Sequence, residues 1–151
     1  MSRRFFTIGY EHATPDAVLR ELERAGVELL VDVRAVAASR RPGFSKRALA
    51  AGLDERGIGY LHLRGLGTPA AGRNAARSGK PEEMFRIYEA HLATEKAQAE
   101  LTELKKIVRG GRPVCVLCYE RHPEGCHGSR IAELICEDLG AQVENLFSPP
   151  I

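Results

Sequence analysis

The chain predicts an α/β protein: a three-layer sandwich with a mostly parallel central sheet of about five strands. Three observations point there. Strand-like and helix-like segments alternate along the 151 residues. The strand-like segments are nearly continuous apolar runs, as expected of strands covered on both faces. Helix start and stop signals punctuate the segments between them. The length suits one domain with a full hydrophobic core, and no internal repeat, heptad array or second domain is visible.

Arg4 to Gly9 reads as the first strand. Thr14-Pro15-Asp16 then opens a helix, with Thr14 a good N-cap and Pro15 suited to the first helical position. Val18, Leu19, Leu22 and Ala25 follow at helical spacing, and Gly26 stops the run. Glu28 to Arg34 is the second strand, followed by a polar loop from Ala38 to Phe44. Ser45 caps a helix that runs to about Arg56, and Ile58 to Leu63 is the third strand. Arg64 to Pro81 is rich in Gly, Ala, Arg and Pro without periodicity, so it reads as a long functional or mobile loop that follows the third strand and closes over its edge. Two helical stripes follow, Met84 to Leu92 and Leu101 to Val108, with a break near Thr94 and an end at Gly110-Gly111. Pro113 to Cys118 is the fourth strand, His127 to Leu139 a helix and Gln142 to Leu146 the last strand, before a Pro149-Pro150 tail.

The formal net charge is only +2, which implies no global affinity for nucleic acid. Two local basic stretches stand out, Arg34, Arg40, Arg41, Lys46 and Arg47 in one, and Arg73, Arg77 and Lys80 in the other. Either suits phosphates or forms a solvated face. The apolar run after Met1-Ser-Arg-Arg is too short for a signal peptide or a membrane span, so a cytoplasmic location is expected, with no membrane partner. In a reducing cytoplasm the four cysteines are expected to bind metal, catalyse or pack rather than form disulfides. Cys115 alternates with Val114 and Val116, and Cys136 sits with Ile131, Leu134 and Ile135, so both read as core.

In a parallel sheet the C-terminal strand ends share one edge, where ligands bind. Tyr10, Glu11 and His12 follow the first strand; Asp32, Arg34, Ser39 and Arg40 follow or end the second; Arg64 and Gly67 follow the third. The fourth strand leads into the densest cluster: Cys118, Glu120, Cys126, His127 and Arg130 fall within 13 residues. A buried Asp32 needs a partner such as Arg34 or backbone N–H groups. His62 and His91 lie in apolar patterns and read as hydrogen-bonded packing. Cys126 at a helix N-terminus suits a stabilised thiolate, His127 a proton carrier near neutral pH, and Glu120 a base or a group that orients His127.

Several short motifs together resemble the bacterial family called domain of unknown function 488. They are Thr7-Ile8-Gly9-Tyr10, Leu30-Val31-Asp32-Val33-Arg34, Ser39-Arg40 with Phe44, Ile58-Gly59-Tyr60 with Leu66-Gly67, and Leu117-Cys118-Tyr119-Glu120 with Cys126-His127 and Ile131-Ala132-Glu133. The resemblance covers about residues 5 to 140 and implies little chemistry, since the family is named for lacking an established function. Members usually carry Pro after the Asp-Val-Arg strand and Arg directly after the Cys-His pair; here Ala35 to Ala38 and Gly128 stand there. Arg130 lies two residues on, a rotation of roughly 200° on a helix. The departure favours close approach to the backbone at Gly128.

Four functions fit these residues. The first is an enzyme acting on an anionic, nucleotide-like or nucleic-acid-derived substrate. Cys118 or Cys126 would be its nucleophile, with His127 and Glu120 as acid–base groups, and Tyr10, Asp32, Arg34, Ser39, Arg40, Gly67 and Arg130 would bind substrate. No Walker loop or dinucleotide fingerprint is present, and no cofactor is indicated. The second is a relative of rhodanese-like sulfurtransferases and phosphatases, although ten residues, Tyr119 to Gly128, stand where those enzymes use a tight loop. The third is a zinc site built from Cys118, Glu120, Cys126 and His127, against which adjacent Cys and His ligands argue, so no metal is assigned. The fourth is a non-catalytic nucleic-acid-binding module using the first basic stretch. Oligomeric state is left open.

Overall fold

The computed structural model describes residues 4–149, so Met1 to Arg3 and Pro150 of the tail lie outside the described residues. The elements run β1 (Arg4–Gly9), α1 (Pro15–Arg24), β2 (Leu29–Asp32), α2 (Lys46–Asp54), β3 (Gly59–His62), α3 (Ala70–Arg77), α4 (Pro81–Leu92), α5 (Glu95–Arg109), β4 (Val114–Cys118), α6 (His127–Leu139) and β5 (Gln142–Leu146). Short 3-10 turns occupy Arg64–Leu66 and Pro123–Gly125.

The five strands form one sheet in the order β3-β2-β4-β1-β5. Every pairing is parallel. Side-chain alternation explains the continuous apolar runs. Phe5, Val31, Val114 and Val116 face one layer, with Met84, Tyr88, Leu101, Leu104 and Ile131 of α4, α5 and α6. Phe6, Leu30, Cys115 and Leu117 face the other, with Val18, Leu22, Leu49 and Leu53 of α1 and α2. Phe5 and Phe6 are both fully buried; truncating either to Ala would cost ~3–5 kcal/mol. Among the described residues no helix is long and apolar enough to cross a membrane.

The sequence signals act as read at several helix ends. Thr14 Oγ1 accepts from Ala17 N–H at 3.1 Å, and Thr94 Oγ1 accepts from Ala97 N–H at 3.3 Å, which starts α5 after the break. Gly26 takes φ 79° after α1, a conformation open to Gly at little cost. Ser45 precedes α2 without accepting a capping bond from the helix; its hydroxyl instead accepts from Ser39 N–H at 3.0 Å and donates to Ser39 O at 3.2 Å.

Three expectations need correction. Arg64 to Pro81 is not a structureless loop but a 3-10 turn and the helix α3. Its alanines favour helix even without an apolar stripe, and only Gly72 and Ala75 of α3 are buried. Cys136 is exposed rather than core, because it lies about 100° round α6 from Ile135. Cys118 and Cys126 are joined in a disulfide rather than free.

The order of strands places a site. β1 leads through α1, on one face, to β2; β4 leads through α6, on the opposite face, to β5. β1 and β4 are neighbours whose connections leave on opposite faces of the sheet, an arrangement in which open α/β sheets leave a crevice at the strand ends. The register pairs Gly9 with Cys118 at its mouth. A Cβ at Gly9 would overlap the Glu120 carbonyl oxygen, so only Gly lets the two chain ends run side by side.

Candidate functional site

Past the strand ends the ladder stops, and backbone carbonyls need other donors. Side chains from the helical layer and from β3 supply them. His127 Nε2 lies 2.7 Å from Val33 O, His62 Nε2 2.7 Å from Arg34 O, and His91 Nε2 2.7 Å from Gly65 O. A carbonyl only accepts, so each Nε2 carries the proton and donates. Tyr88 Oη donates to Leu66 O at 2.6 Å. Burial drives the His127 imidazole down to about pKa 4, against the pull of Val33 O and Asp32. His127 is therefore neutral at pH 7.

Asp32 and Arg34 form a closed ion pair at the end of β2. Arg34 Nε donates to Asp32 Oδ1 at 2.8 Å and Nη2 to Oδ2 at 2.7 Å. Arg34 N–H adds a third bond to Oδ1 at 3.1 Å, and Tyr60 Oη donates to Oδ2 at 2.6 Å. Arg34 Nη1 donates to Phe44 O at 2.8 Å and reaches Tyr10 Oη at 3.4 Å. Asp32 is wholly buried and Arg34 nearly so. Burial alone would lower the guanidinium's pKa; bonding to Asp32 outweighs it and holds the group above its ordinary value. Burial, then the bond to Asp32, raises Tyr60.

The β1–β4 boundary is built differently. Cys118 ends β4, Glu120 follows two residues later, and Cys126 is the N-cap of α6, its Sγ accepting from Gly128 N–H at 3.3 Å. The chain between them returns through the Pro123–Gly125 turn, so the two cysteines meet with Cα atoms 6.8 Å apart. That return is the reason for the disulfide the sequence did not anticipate. A Cβ at Gly128 would lie 3.2 Å from Cys118 Sγ and 3.5 Å from Cys126 Sγ, the close approach the missing arginine implied. Burial pushes the Glu120 carboxyl up, helped by the nearby charge of Glu11. Among the described residues no Lys, Arg or His comes within ion-pair distance of that carboxylate.

Over this edge opens a cleft of about 610 Å³, lined by Tyr10, Arg34, Tyr119, Glu120 and His127 from the sheet edge and α6 and by Arg73 and Arg77 of α3. The two arginines stand one helical turn apart. Arg73 Nη1 donates to Thr68 O at 2.8 Å and Arg77 Nη1 to the Asn74 side chain at 3.2 Å, and neither forms an ion pair among the described residues. Tyr119, 46% exposed, sets its ring edge-on to Tyr10 at 5.3 Å. Tyr10 stacks on Phe44 at 4.5 Å.

The sequence-predicted residues divide. Tyr10, Arg34, Glu120 and His127 line the cleft. Cys118 and Cys126 line a small cavity behind it, with Glu120 as the shared wall. His127 turns away from the two sulfurs toward Val33 O and the edge of the Tyr88 ring, so it is not oriented by Glu120. Asp32 serves Arg34 and does not face the cleft. Ser39 and Arg40 stand outside its lining; Ser39 shapes its own loop, and Arg41 rather than Arg40 ties that loop down, through bonds to Tyr10 O and Ala13 O. Gly67 is required by packing, since a Cβ there would overlap the Ala35 backbone. Arg130 binds Glu89 of α4 at 2.8 Å and Glu133 at 3.4 Å, so it does not stand in for an arginine at Gly128. Glu11, read as following the first strand on this edge, lines the cleft, and the Arg64 to Pro81 segment, read as a loop over this edge, lines it as the helix α3 with Arg73 and Arg77.

Comparison with known proteins adds one finding. No curated protein and no solved structure matches the chain. The family model described as Domain of unknown function DUF488 matches residues 14–135, spanning the sheet edge from the α1 cap to α6, and the chain belongs to that family.

Proposed function

We propose that the cleft binds an anionic, ring-bearing small molecule of nucleotide type, and that chemistry on it proceeds from the Cys118–Glu120–Cys126 end. The observation that carries this reading is Arg73 and Arg77. Two guanidinium groups without carboxylate partners line a cleft that a half-exposed aromatic ring, Tyr119, and a carboxylate, Glu120, line too. Unpaired guanidinium forks suit phosphate oxygens, and Tyr119 offers a face on which a base can stack. The volume, about 610 Å³, falls within the range of small-molecule sites. His127 is not given the acid–base role. It is neutral, buried and committed to Val33 O.

Calorimetric titration with a panel of nucleoside monophosphates, beside inorganic phosphate and the unphosphorylated nucleosides, tests the reading. At least one monophosphate binds more tightly than both controls, and Arg73→Ala with Arg77→Ala weakens it by roughly 10- to 100-fold, the loss expected for charged hydrogen bonds. Binding that survives the loss of both arginines, or a panel that gives no heat, refutes it.

A further inference from the structure

Cys118, Glu120 and Cys126 arrive at one point from two elements, the end of β4 and the cap of α6. One ligand atom from each, two Sγ and a carboxylate oxygen, lie within 4.8 Å of one another. Beside them is a cavity of about 10 Å³, to which Thr7, Ser129 and Asn145 also contribute. That is room for roughly one water-sized sphere. The Glu120 carboxylate lacks a cationic partner among the described residues, and Glu11 adds a like charge nearby. The cluster has donors, space and excess negative character; a cation is what would complete it.

We propose that reduction of the Cys118–Cys126 bond opens a site for a soft divalent metal ion of the zinc type, held by the two thiolates and the Glu120 carboxylate. It deepens the reading of this end as the reactive one. Sulfur donors select zinc-like ions over magnesium or calcium, and three protein ligands with an open fourth position are the arrangement of catalytic zinc. Glu120 also lines the large cleft, so the open position has a route to a bound ligand. Zn–S bonds of about 2.3 Å in tetrahedral geometry set two sulfurs roughly 3.8 Å apart. The Cα separation of 6.8 Å already sits at the wide end for a bridged pair, so the sulfurs can part with little backbone movement. His127 is not a ligand: its ring nitrogens, Nδ1 included, fall outside the cluster that Cys118, Glu120 and Cys126 form, and its Nε2 donates to Val33 O. Cys115 is sealed in the core and Cys136 lies on the outer face of α6.

The chemistry balances. A dithiol reductant passes two electrons and two protons to the Cys118–Cys126 bond and becomes a disulfide itself. The S–S bond breaks and two thiols form. Metal binding then releases both thiol protons to solvent, and the ion keeps its oxidation state.

The test uses the full chain, reduced with a phosphine under inert gas, desalted, and titrated with zinc chloride alone, with cobalt chloride in parallel. Reduced protein retains one equivalent of zinc through gel filtration, and cobalt gives the thiolate-to-metal charge-transfer absorption. Oxidised protein retains none. Glu120→Gln weakens binding by roughly 10- to 100-fold, the range that even outer-shell partners command. Cys136→Ser changes nothing. The idea is overturned if the reduced chain holds no zinc, if the cobalt spectrum lacks the thiolate band, or if Cys118→Ser with Cys126→Ser binds as well. The cobalt spectrum of the unmutated chain keeps the question decidable should the cysteine variants fail to fold. Nucleoside monophosphate binding, measured on oxidised protein with a chelator present, is separate, so either reading can fail without the other.

Discussion

Asp32 ends β2 and Glu120 lies two residues past the end of its neighbour β4, on the same edge of the same sheet, and the protein treats the two carboxylates in opposite ways. Asp32 accepts from Arg34 Nε, Nη2 and N–H and from Tyr60 Oη, and is wholly buried. Glu120 has a like-charged neighbour and no counter-ion among the described residues, and its carboxyl is pushed up by burial. The β2–β3 side of the edge is closed: its polar groups bind each other, and Val33, Arg34, Gly65 and Leu66 carbonyls are each covered by a ring or hydroxyl. The β1–β4 side is left open. Saturated polar groups serve to hold the chain, whereas polar groups left short of partners are where a ligand has something to add.

The largest test of that contrast is Asp32→Asn. It leaves the Arg34 guanidinium buried without its counter-ion, and breaking a buried pair in this way costs ~3–5 kcal/mol. Urea unfolding should show a lower midpoint at unchanged slope, the product of the two falling by that amount. Asp32→Leu with Arg34→Met should recover part of the loss, since the stranded charge goes too, but not all, because Phe44 O and Tyr60 Oη lose their partners. A single variant as stable as the parent would mean that the pair does not hold this side of the edge.

His127 gives a smaller effect with a definite pH signature. Its folded pKa is about 4, against about 6.5 in an unfolded chain. Between these values the unfolded chain takes up a proton that the native chain refuses. Stability therefore falls as pH drops from about 6.5 to about 4, by about 3 kcal/mol in all, and this contribution changes no further outside that window. His127→Gln keeps a donor near Val33 O and removes the titration. The readout is the difference between the two unfolding curves across pH 4 to 7, on oxidised protein with a chelator present. Parallel curves would show that His127 titrates normally and is open to an acid–base role after all.

The sequence made the scaffold legible where the periodic signal was strong. α6 and β5 have the bounds that were read, and the Asp32–Arg34 pairing followed from one rule about buried carboxylates. Two kinds of feature escaped. α3 is short and built from Ala, Gly and Arg, so it lacks the apolar stripe by which longer helices announce themselves, and with it went the cationic wall of the cleft. The second is partner choice at short range. Cys118, Glu120, Cys126 and His127 read as one cluster because they are close in sequence, yet consecutive residues at a helix start diverge by about 100°. Cys126 turns to Cys118 while His127 turns to a carbonyl 94 residues away. Proximity along the chain named the right residues and left their pairing to three dimensions.

Glu120→Gln sets the smallest and most diagnostic effect against Asp32→Asn. A carboxyl whose folded pKa is raised favours its protonated form in the native state. The ionised form therefore weakens folding at neutral pH; this penalty is absent below the unfolded pKa of about 4.3 and is complete once pH has risen through the folded value. Gln removes the charge and nearly keeps the shape. Oxidised Glu120→Gln should accordingly be more stable than the parent at pH 7, by less than ~1 kcal/mol, since it has no cationic partner to lose and Gln keeps an oxygen for the backbone hydrogen bond. The gain should vanish near pH 4, where the parent is protonated too. Matched thermal unfolding at the two pH values reads both the sign and its disappearance. A loss of stability at pH 7 would mean that Glu120 has a structural partner, and the β1–β4 side would then be as closed as the β2–β3 side.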